Sequence, residues 1–314
     1  STGRRNDGEG DNVMNNGNGT LFAPSSVQTK EREKRRSPWW EVWRRLRRNK
    51  AAVVGMSVVI LLVVVAVLSP VLAPYDPNLT NIKMRLQGPS SEHPLGTDNF
   101  GRDMLSRIIY GSRISLYVGF VAVGIGAVFG GILGAIGGYY GGRLDNFIMR
   151  CMDVLLAIPQ IILAIAIVGA LGTSLLNLMI AVGISQLPRY ARVVRASALT
   201  VRGQEYVEAA RAVGASDARI ILENILPNCM APIIVQSTLG VAQAILSAAA
   251  LSFLGLGIQP PTAEWGSMLS SGRQFLRNAP YLTFFPGLAI SVVVLALNIF
   301  GDGLRDSLDP KLRQ

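Results

Sequence analysis

Histidine and cysteine, which supply many catalytic groups and metal ligands, are scarce in this chain. The chain has one histidine, His93, and two cysteines, Cys151 and Cys229. One histidine and two distant cysteines cannot build a zinc site within this chain, and no Ser/His/Asp arrangement is available for nucleophilic catalysis. The sequence therefore predicts a protein that is not an enzyme, with no metal site and no disulfide framework.

The segment from Gly96 to Gly101 has the glycine spacing of a phosphate-binding loop. Arg102 and Asp103 follow it, where such a loop needs Lys and then Ser or Thr to hold phosphate and magnesium. We therefore do not expect this chain to hydrolyse nucleotide. The surrounding loop is rich in turns, and its Asp98, Arg102 and Asp103 can pair with one another or with a docking protein.

A charged, helix-prone stretch at residues 205–227 interrupts an otherwise apolar half of the chain. Its alanines and glutamates favour a helix, Gly214 can take the left-handed conformation that ends one, and Ser216 or Asp217 can cap the next. We expect two short helices with a hinge at Gly214, the first suited to entering a cleft on another protein. The alternative is an amphipathic surface helix with no special role.

The composition indicates an all-α integral membrane protein. Half of the residues are hydrophobic and 16% are charged, against about 25% charged residues in soluble domains. Six apolar runs predict about six transmembrane helices, at residues 51–73, 114–136, 147–171, 175–187, 231–254 and 282–300. Pro159 interrupts the third run, and the fourth is short for a span.

The distribution of basic residues predicts the orientation in the membrane. With both termini in the cytoplasm, inside segments carry 23 Lys and Arg and outside loops carry 7, out of 30 in the chain. We expect a disordered tail at 1–29, a basic and aromatic helix on the lipid surface at 30–50, and a first transmembrane helix at 51–73. An extracytoplasmic loop is predicted at 74–112, and a transmembrane core follows at 113–304. This core contains a cytoplasmic loop at 203–227, and the cytoplasmic end is at 305–314. A span directly follows the basic segment, so nucleic acid is a poor explanation of the net charge of +10.

Glycines recur at every fourth residue in the second predicted span, at Gly126, Gly130, Gly134 and Gly138. They line one helix face and permit close approach of another helix in lipid. That helix belongs either to a partner subunit or to the same bundle.

Polar side chains within the last two predicted spans are costly in lipid. We expect them either to line a translocation path or to form hydrogen bonds between helices. They are Gln236, Ser237, Thr238, Gln243, Ser247 and Asn298. Asp153, at the edge of the third span, is expected to pair with Arg150 or Arg143 rather than to carry protons.

Four strings of residues carry a resemblance to one family. The spacing of Glu208-Ala209-Ala210, Gly214 and Leu226-Pro227 resembles the EAA cytoplasmic loop of the membrane subunits of ABC importers, with Asn224 where the general pattern has Ile. Three further strings resemble the C-type membrane subunit of dipeptide and oligopeptide importers: His93 to Asp103, Leu251 to Pro261 with Glu264-Trp265-Gly266, and Gly301 to Asp306. Ala248 stands where that family often has Glu, so no role of that carboxylate is carried over.

The resemblance implies an inner-membrane permease subunit of an ATP-driven importer that translocates peptides delivered by an extracytoplasmic binding protein. It implies a heterodimer with a second permease subunit, and two partner subunits that bind ATP and Mg²⁺, so that this chain holds no cofactor. The residues implied in coupling to the ATPase are Glu205, Tyr206, Glu208, Ala209, Ala210, Arg211, Gly214, Leu226 and Pro227. For docking of the binding protein we expect Asp98, Arg102, Asp103 and Trp265.

Other functions remain open. Relatives in this branch also carry nickel chelates or glutathione. A secondary transporter or channel would work without ATP, but its usual marks are intramembrane carboxylates or inverted repeats. Only Asp153 lies at a span, and no repeat is clear. A membrane scaffold or receptor would not need the charged loop at 203–227.

Overall fold

The computed structural model describes residues 38–308, which are helical apart from turns and connecting loops. The helices are α1 (Pro38–Leu46), α2 (Lys50–Val67), α3 (Ser69–Leu72), α4 (Met104–Ile125), α5 (Gly131–Tyr140), α6 (Gly142–Ala157), α7 (Gln160–Leu171), α8 (Leu175–Arg202), α9 (Glu205–Ala212), α10 (Asp217–Ile220), α11 (Leu226–Asn228), α12 (Met230–Phe253), α13 (Trp265–Gly272) and α14 (Tyr281–Leu308). Gly126–Gly130 and Ile221–Ile225 are π-helical, and Ile82–Met84 and Arg273–Phe275 form 3₁₀ turns.

Four helices in this part of the chain are long and apolar enough to cross a membrane. They are α2, the continuous helix Met104–Tyr140, α12 and α14. The pair α6 and α7 makes a fifth candidate, although it bends by 91°. The fourth predicted span, at residues 175–187, falls in the first half of α8, whose second half carries Arg189, Arg192, Arg195 and Arg202. The all-helical membrane fold is confirmed, while the predicted count of six includes one bent pair and one helix that is apolar over half its length.

Several predicted boundaries need correction. The first span ends at Val67, and a separate turn, α3, follows because Pro70 cannot continue the hydrogen bonding of α2. The loop predicted at 74–112 ends earlier, since the Asp103 carboxylate caps α4 by accepting from the Ser106 amide at 2.7 Å. Helix α14 runs through residue 308, past the predicted boundary at 305, because its Leu304 and Ser307 remain buried. The predicted tail at 1–29 and residues 309–314 lie outside the described residues, as does the start of the predicted surface helix, of which α1 is the described part.

The third predicted span is broken at Pro159. The residue before a proline avoids the helical conformation, and Ile158 is extended, with φ of −93° and ψ of 128°. Helix α6 therefore ends at Ala157 and α7 starts in a new direction. The sequence showed a proline inside the third apolar run, and the helix does break at that proline. The two halves meet at 91° instead of forming one straight span.

Helices α4, α8 and α12 meet at the centre of the bundle. Their contact residues are mostly small or branched, and Ala122, Val182 and Ala244 are fully buried. Helix α2 packs on α14 through Gly55, where an added Cβ would come 2.8 Å from the Phe300 amide nitrogen. Small residues therefore bring the backbones together, as expected where lipid supplies no hydrophobic drive between helices.

The glycine face of Met104–Tyr140 packs against α8 of the same chain. An added Cβ at Gly130 would lie 2.6 Å from the Leu187 carbonyl oxygen, and one at Gly138 would lie 2.6 Å from the Ala198 Cβ. A Cβ added at Gly134 would clash with the Ala191 carbonyl oxygen. Of the two predicted partners, a neighbouring helix in the same bundle is the one observed.

We expect Gly134→Val to separate α5 from α8, because the new side chain meets backbone that cannot rotate away. Overpacking of this kind costs roughly 1–3 kcal/mol, so the melting temperature of the detergent-solubilised chain should fall by several degrees. Gly124→Val is the matched control, since nothing lies within 4 Å of a Cβ added at Gly124. Equal melting temperatures for the two variants would show that the close contact at Gly134 does not stabilise the bundle.

Candidate functional site

The charged loop between α8 and α12 begins with α9, turns at Gly214 and continues with α10. Gly214 has φ of +82°, in the left-handed region that a residue without Cβ adopts at little cost. The predicted pair of short helices separated at Gly214 is confirmed, while bending at this residue stays a prediction. Beyond α10 the chain stays helical through Ile221–Ile225 and α11, so Leu226 and Pro227 lie in the helical turn that leads into α12.

Buried side chains fix this loop to the ends of α5 and α8. Val207, Ile220, Ile225 and Cys229 are each fully buried. They form one apolar group, here named the anchor cluster, whose members are Ala135, Tyr139, Val194, Ala198, Val207, Ile220, Ile225 and Cys229. The loop is therefore packed against two long helices by a small core of its own.

Polar contacts reinforce the anchor cluster. The Tyr139 hydroxyl donates to Asp217 Oδ1 at 2.6 Å, and Arg202 Nη1 donates to the Tyr139 carbonyl at 3.2 Å. Burial raises the pKa of the Cys229 thiol to about 11, which agrees with a structural role for this residue. One tyrosine at the end of α5 thus holds both the exit of α8 and the start of α10.

The opposite side of α9 is exposed, and we name it the α9 open face. It consists of Glu205, Tyr206, Glu208, Ala209, Arg211 and Val213. Val213 is 84% exposed and Tyr206 is 43% exposed, high values for apolar and aromatic side chains. Two residues predicted on this surface do not belong to it, since Ala210 and Leu226 are half-buried against the anchor cluster. Pro227 is exposed, but on α11.

The α9 open face is charged in the order that a helix dipole favours. Glu205 and Glu208 lie in the first turn and Arg211 in the last. The Tyr139 hydroxyl, acting as a hydrogen-bond acceptor, raises the pKa of Arg211, whose Cζ lies 5.5 Å from the Tyr139 ring. The face therefore offers a partner two carboxylates, a fixed cation and a flat apolar area around Ala209.

Two ion pairs connect α6 to the arginine-rich half of α8. Arg195 forks onto the buried Asp145, with Nη2 at 2.6 Å from Oδ2. Asp153 pairs with Arg192 at 2.7 Å, which corrects the expectation of Arg150 or Arg143. Arg143 and Arg150 are exposed and form no ion pair within the described residues. Asp153 is half-exposed, and its partner on a neighbouring helix supports a structural charge.

The carboxylates and arginine predicted to dock another protein are buried and pair with one another. Asp98, Arg102 and Asp103 are exposed by 7%, 5% and 3%. Arg102 Nε lies 2.7 Å from Asp98 Oδ2, while Asp103 accepts from Ser106 and lies 2.9 Å from His93 Nδ1. Of the two roles considered, pairing within the loop is the one observed. Docking by these side chains is not supported, because they do not reach the surface.

Trp265, the fourth predicted docking residue, is 1% exposed. Its indole N–H donates to the Ile108 carbonyl at 3.0 Å, so it joins α13 to the start of α4. The neighbouring Glu264 caps α13, accepting from the amides of Gly266 and Ser267 at 2.8 Å, and burial raises the pKa of this carboxyl. These residues hold the outer loops onto the bundle.

The six polar residues of the last two predicted spans divide between two environments. Gln236 and Gln243 are partly exposed on α12 and Asn298 is exposed on α14. Thr238 faces α14 beside Gly301, Ser247 is 6% exposed, and Ser237 lies 3.3 Å from the Tyr190 hydroxyl. Ser237 and Thr238 are as partly exposed as Gln236 and Gln243, but they also contact neighbouring helices, and Ser247 is buried. Whether these residues line a path stays a prediction.

A polar residue in the bundle was overlooked in the sequence. Gln186 on α8 is 2% exposed, and among residues 38–308 its amide has no hydrogen-bond partner. It lies beside the π-helical segment, where a Cβ added at Gly126 would be 3.2 Å from the Gln186 Cβ. The signal was available, since Gln186 stands in an apolar run and precedes Pro188.

No group of three His, Cys, Asp or Glu side chains in the described residues 38–308 is arranged as a metal site requires. The described residues thus combine an exposed, charged face on α9, a buried cluster that packs it against α5 and α8, and amides on one side of α12 and α14.

Comparison with known families gives two matches. Residues 126–314 match the binding-protein-dependent transport system inner membrane component family. Residues 37–89 match the N-terminal TM domain of oligopeptide transport permease C. The first match contains α9 and its anchor cluster, and the second contains α1 and α2.

Similar proteins match over nearly their full length. The dipeptide transport system permease protein DppC of Alkalihalophilus pseudofirmus is 50% identical over 92% of this chain and 95% of its own. The di/tripeptide transport system permease protein DppC of Pseudomonas aeruginosa is 47% identical, over 88% and 93%. The glutathione transport system permease protein GsiD of Escherichia coli is 49% identical, over 88% and 92%.

A solved structure of the MetNI methionine ABC transporter, in an inward-facing conformation, shares the fold. Its matching chain aligns with a TM-score of 0.54 at 19% identity, covering 66% of this chain and 98% of that one. The family match spans more than half of the sequence, and relatives are up to 50% identical. This chain is therefore a multi-pass inner-membrane protein that belongs to the family of binding-protein-dependent transport system inner membrane components.

Proposed function

We propose that this chain is a permease subunit of an ATP-driven importer and translocates di- or oligopeptides delivered by an extracytoplasmic binding protein. The observation that carries the proposal is the α9 open face, exposed on one side and fixed to α5 and α8 on the other through Val207 and Ile220. A secondary transporter needs no such element. The peptide substrate is supported by relatives named for dipeptide and di/tripeptide transport.

In this mechanism the chain itself is not catalytic. Two partner ATPase subunits bind ATP and Mg²⁺, and closing of these subunits pushes on the α9 open face. The anchor cluster passes the displacement to α5 and α8, because buried side chains packed at crystal-like density do not yield independently. Glu208, Ala209 and Arg211 are the proposed contacts, with Gly214 as the hinge.

The remaining assembly follows from the same proposal. A second, homologous permease subunit completes the path, so that the face with Gln236, Gln243 and Asn298 supplies half of its lining. Both termini lie in the cytoplasm, on the side of α9, as the excess of basic residues there supports. The extracytoplasmic binding protein docks on exposed parts of the outer loop, such as Phe100, which is 46% exposed beneath the Arg102 guanidinium.

Glutathione is a second candidate solute, because a relative named for glutathione transport is 49% identical to this chain. Dipeptides and glutathione both have peptide bonds and a free carboxylate, so both can be tested in the same uptake experiment. That experiment also distinguishes an ATP-driven importer from the ATP-independent alternative. The intact complex is purified from its native membrane in mild detergent, its subunits are identified, and it is reconstituted in liposomes. Uptake of labelled Ala-Phe or glutathione that needs ATP and the binding protein supports the proposal. Uptake by the chain alone without ATP contradicts it.

We expect Gly214→Pro to uncouple ATP hydrolysis from transport without unfolding the spans. Proline fixes φ near −65°, far from the +82° observed, and removes the amide that donates to the Arg211 carbonyl at 3.0 Å. Uptake in the reconstituted complex should fall at least tenfold while ATPase activity persists. Gly214→Asn is the control, because Asn tolerates the left-handed conformation, and it should keep most of the uptake. Normal uptake by Gly214→Pro would refute the hinge.

We also expect Ala209→Trp to weaken attachment of the ATPase subunits, since it places a large side chain in the flat part of the α9 open face. Ala209 is exposed, so the chain should fold and insert normally. Ala218→Trp on α10, also an exposed alanine, is the matched control. The measurement is the ratio of ATPase to permease subunits after affinity purification. An unchanged ratio for Ala209→Trp, or an equal loss for both variants, would exclude this face as the contact.

A further inference from the structure

A cleft of about 400 Å³ opens between α12, α13 and α14. Its wall is apolar, formed mainly by Leu246, Ala250 and Phe253 of α12, Leu269 of α13, and Gly287 and Ile290 of α14. Gly287 leaves room on the α14 side, because a Cβ added there would meet only Leu269 Cδ2, at 3.7 Å. A volume of this size lies in the range of small-ligand sites.

A cation lies over the ring of one wall residue of this cleft. The Cζ of Arg273 is 5.5 Å from the centre of the Phe253 ring, which is part of the wall. Arg273 is exposed, and within residues 38–308 it has no carboxylate partner. The nearby segment from 254 to 281 contains one acidic residue, Glu264, and its carboxylate is occupied by backbone amides. The cleft therefore pairs an apolar wall with an unneutralised guanidinium.

The cleft also lies on the helix faces that carry the proposed path. On α12, Gln243 precedes Ala250 by about two helical turns, and on α14, Asn298 follows Gly287 by about three. Both amides thus project from the sides of their helices that line the cleft. Amide side chains are costly against lipid tails, so this side of the bundle faces a polar path or a partner subunit.

We propose that the cleft binds the carboxyl-terminal residue of a peptide whose last side chain is apolar. The side chain enters between Leu246 and Ile290, and the terminal carboxylate pairs with Arg273. This inference rests on the proposed peptide function and adds a substrate class to it: peptides with a free carboxyl end and a large apolar last residue. A guanidinium suits this role because its planar N–H groups match a carboxylate.

The test is a binding titration on the intact importer complex in nanodiscs, without the binding protein, so that affinity comes from the membrane subunits. The probes are Ala-Phe, Ala-Ala and Ala-Phe amide, followed by saturation-transfer NMR. The wild-type complex should bind Ala-Phe more tightly than either of the other two. Loss of this order would overturn the proposal.

Two variants probe the two halves of the site. Arg273→Gln should weaken Ala-Phe binding about tenfold, the loss expected for one charge-assisted contact, and should leave Ala-Phe amide unaffected. Arg277→Gln is the matched control, an exposed arginine for which, among the described residues, no contact with the Phe253 ring is found. Gly287→Leu should fill the cleft and lower Ala-Phe affinity to that of Ala-Ala. Unchanged affinity in either cleft variant, or equal losses at Arg273 and Arg277, would overturn the proposal.

A phospholipid is the competing occupant, because it also joins an anionic group to apolar chains. Mass spectrometry of the purified complexes distinguishes it. A lipid lost in Arg273→Gln, with peptide binding unchanged, would overturn the peptide assignment. ATP-driven uptake is measured in the same preparations. If the wild type takes up no peptide, the proposed function fails, whereas uptake that is insensitive to both cleft variants refutes only this inference.

Discussion

Backbone contact between α8 and the glycine face of α5 is the constraint on which the rest of this structure depends. In lipid, apolar side chains gain little by leaving the solvent, so association relies on close packing and on hydrogen bonds. Gly130, Gly134 and Gly138 let α8 approach until its carbonyls nearly touch α5. This contact aligns the ends of both helices. The alignment brings Tyr139 and Val194 together, and the loop that contains α9 and α10 packs on them.

The anchor cluster converts this packing into a mechanical connection. Val207 on α9 and Ile220 on α10 are both fully buried and pack against the ends of α5 and α8. Gly214 lies between them and is exposed with no neighbour within 4 Å of an added Cβ. The loop thus has two buried attachment points and an exposed turn between them. In the proposed mechanism, displacement of α9 reaches the spans through Val207, while Gly214 lets α9 and α10 change their angle.

The sequence predicted what depends on local chemistry and missed what depends on tertiary contact. The helices around Gly214 and the break at Pro159 were located because glycine and proline act on their own backbone. The start of α4 was placed too late, since its cap, Asp103, reads as a charged loop residue. Likewise, the sequence suggested a docking surface at Asp98 and Arg102, whereas in the structure these two side chains are paired with each other and buried. Gln186 was overlooked although an amide in an apolar run just before Pro188 is a signal, because its burial depends on the packing of α8 against Gly126.

Helix α12 shows how stability and specificity can be separated on one element. Gly240 and Ala244 lie on its buried face, where a Cβ at Gly240 would come 2.7 Å from the Tyr190 hydroxyl. Changes on that face would push α8 away and disturb the packing beneath the anchor cluster. The opposite face, with Gln243, Leu246 and Phe253, contributes little to the bundle, because its side chains are partly or fully exposed. Residues there can change size and polarity at small cost in folding, so the solute preference proposed for this face can vary while the packing of α12 on α8 stays the same.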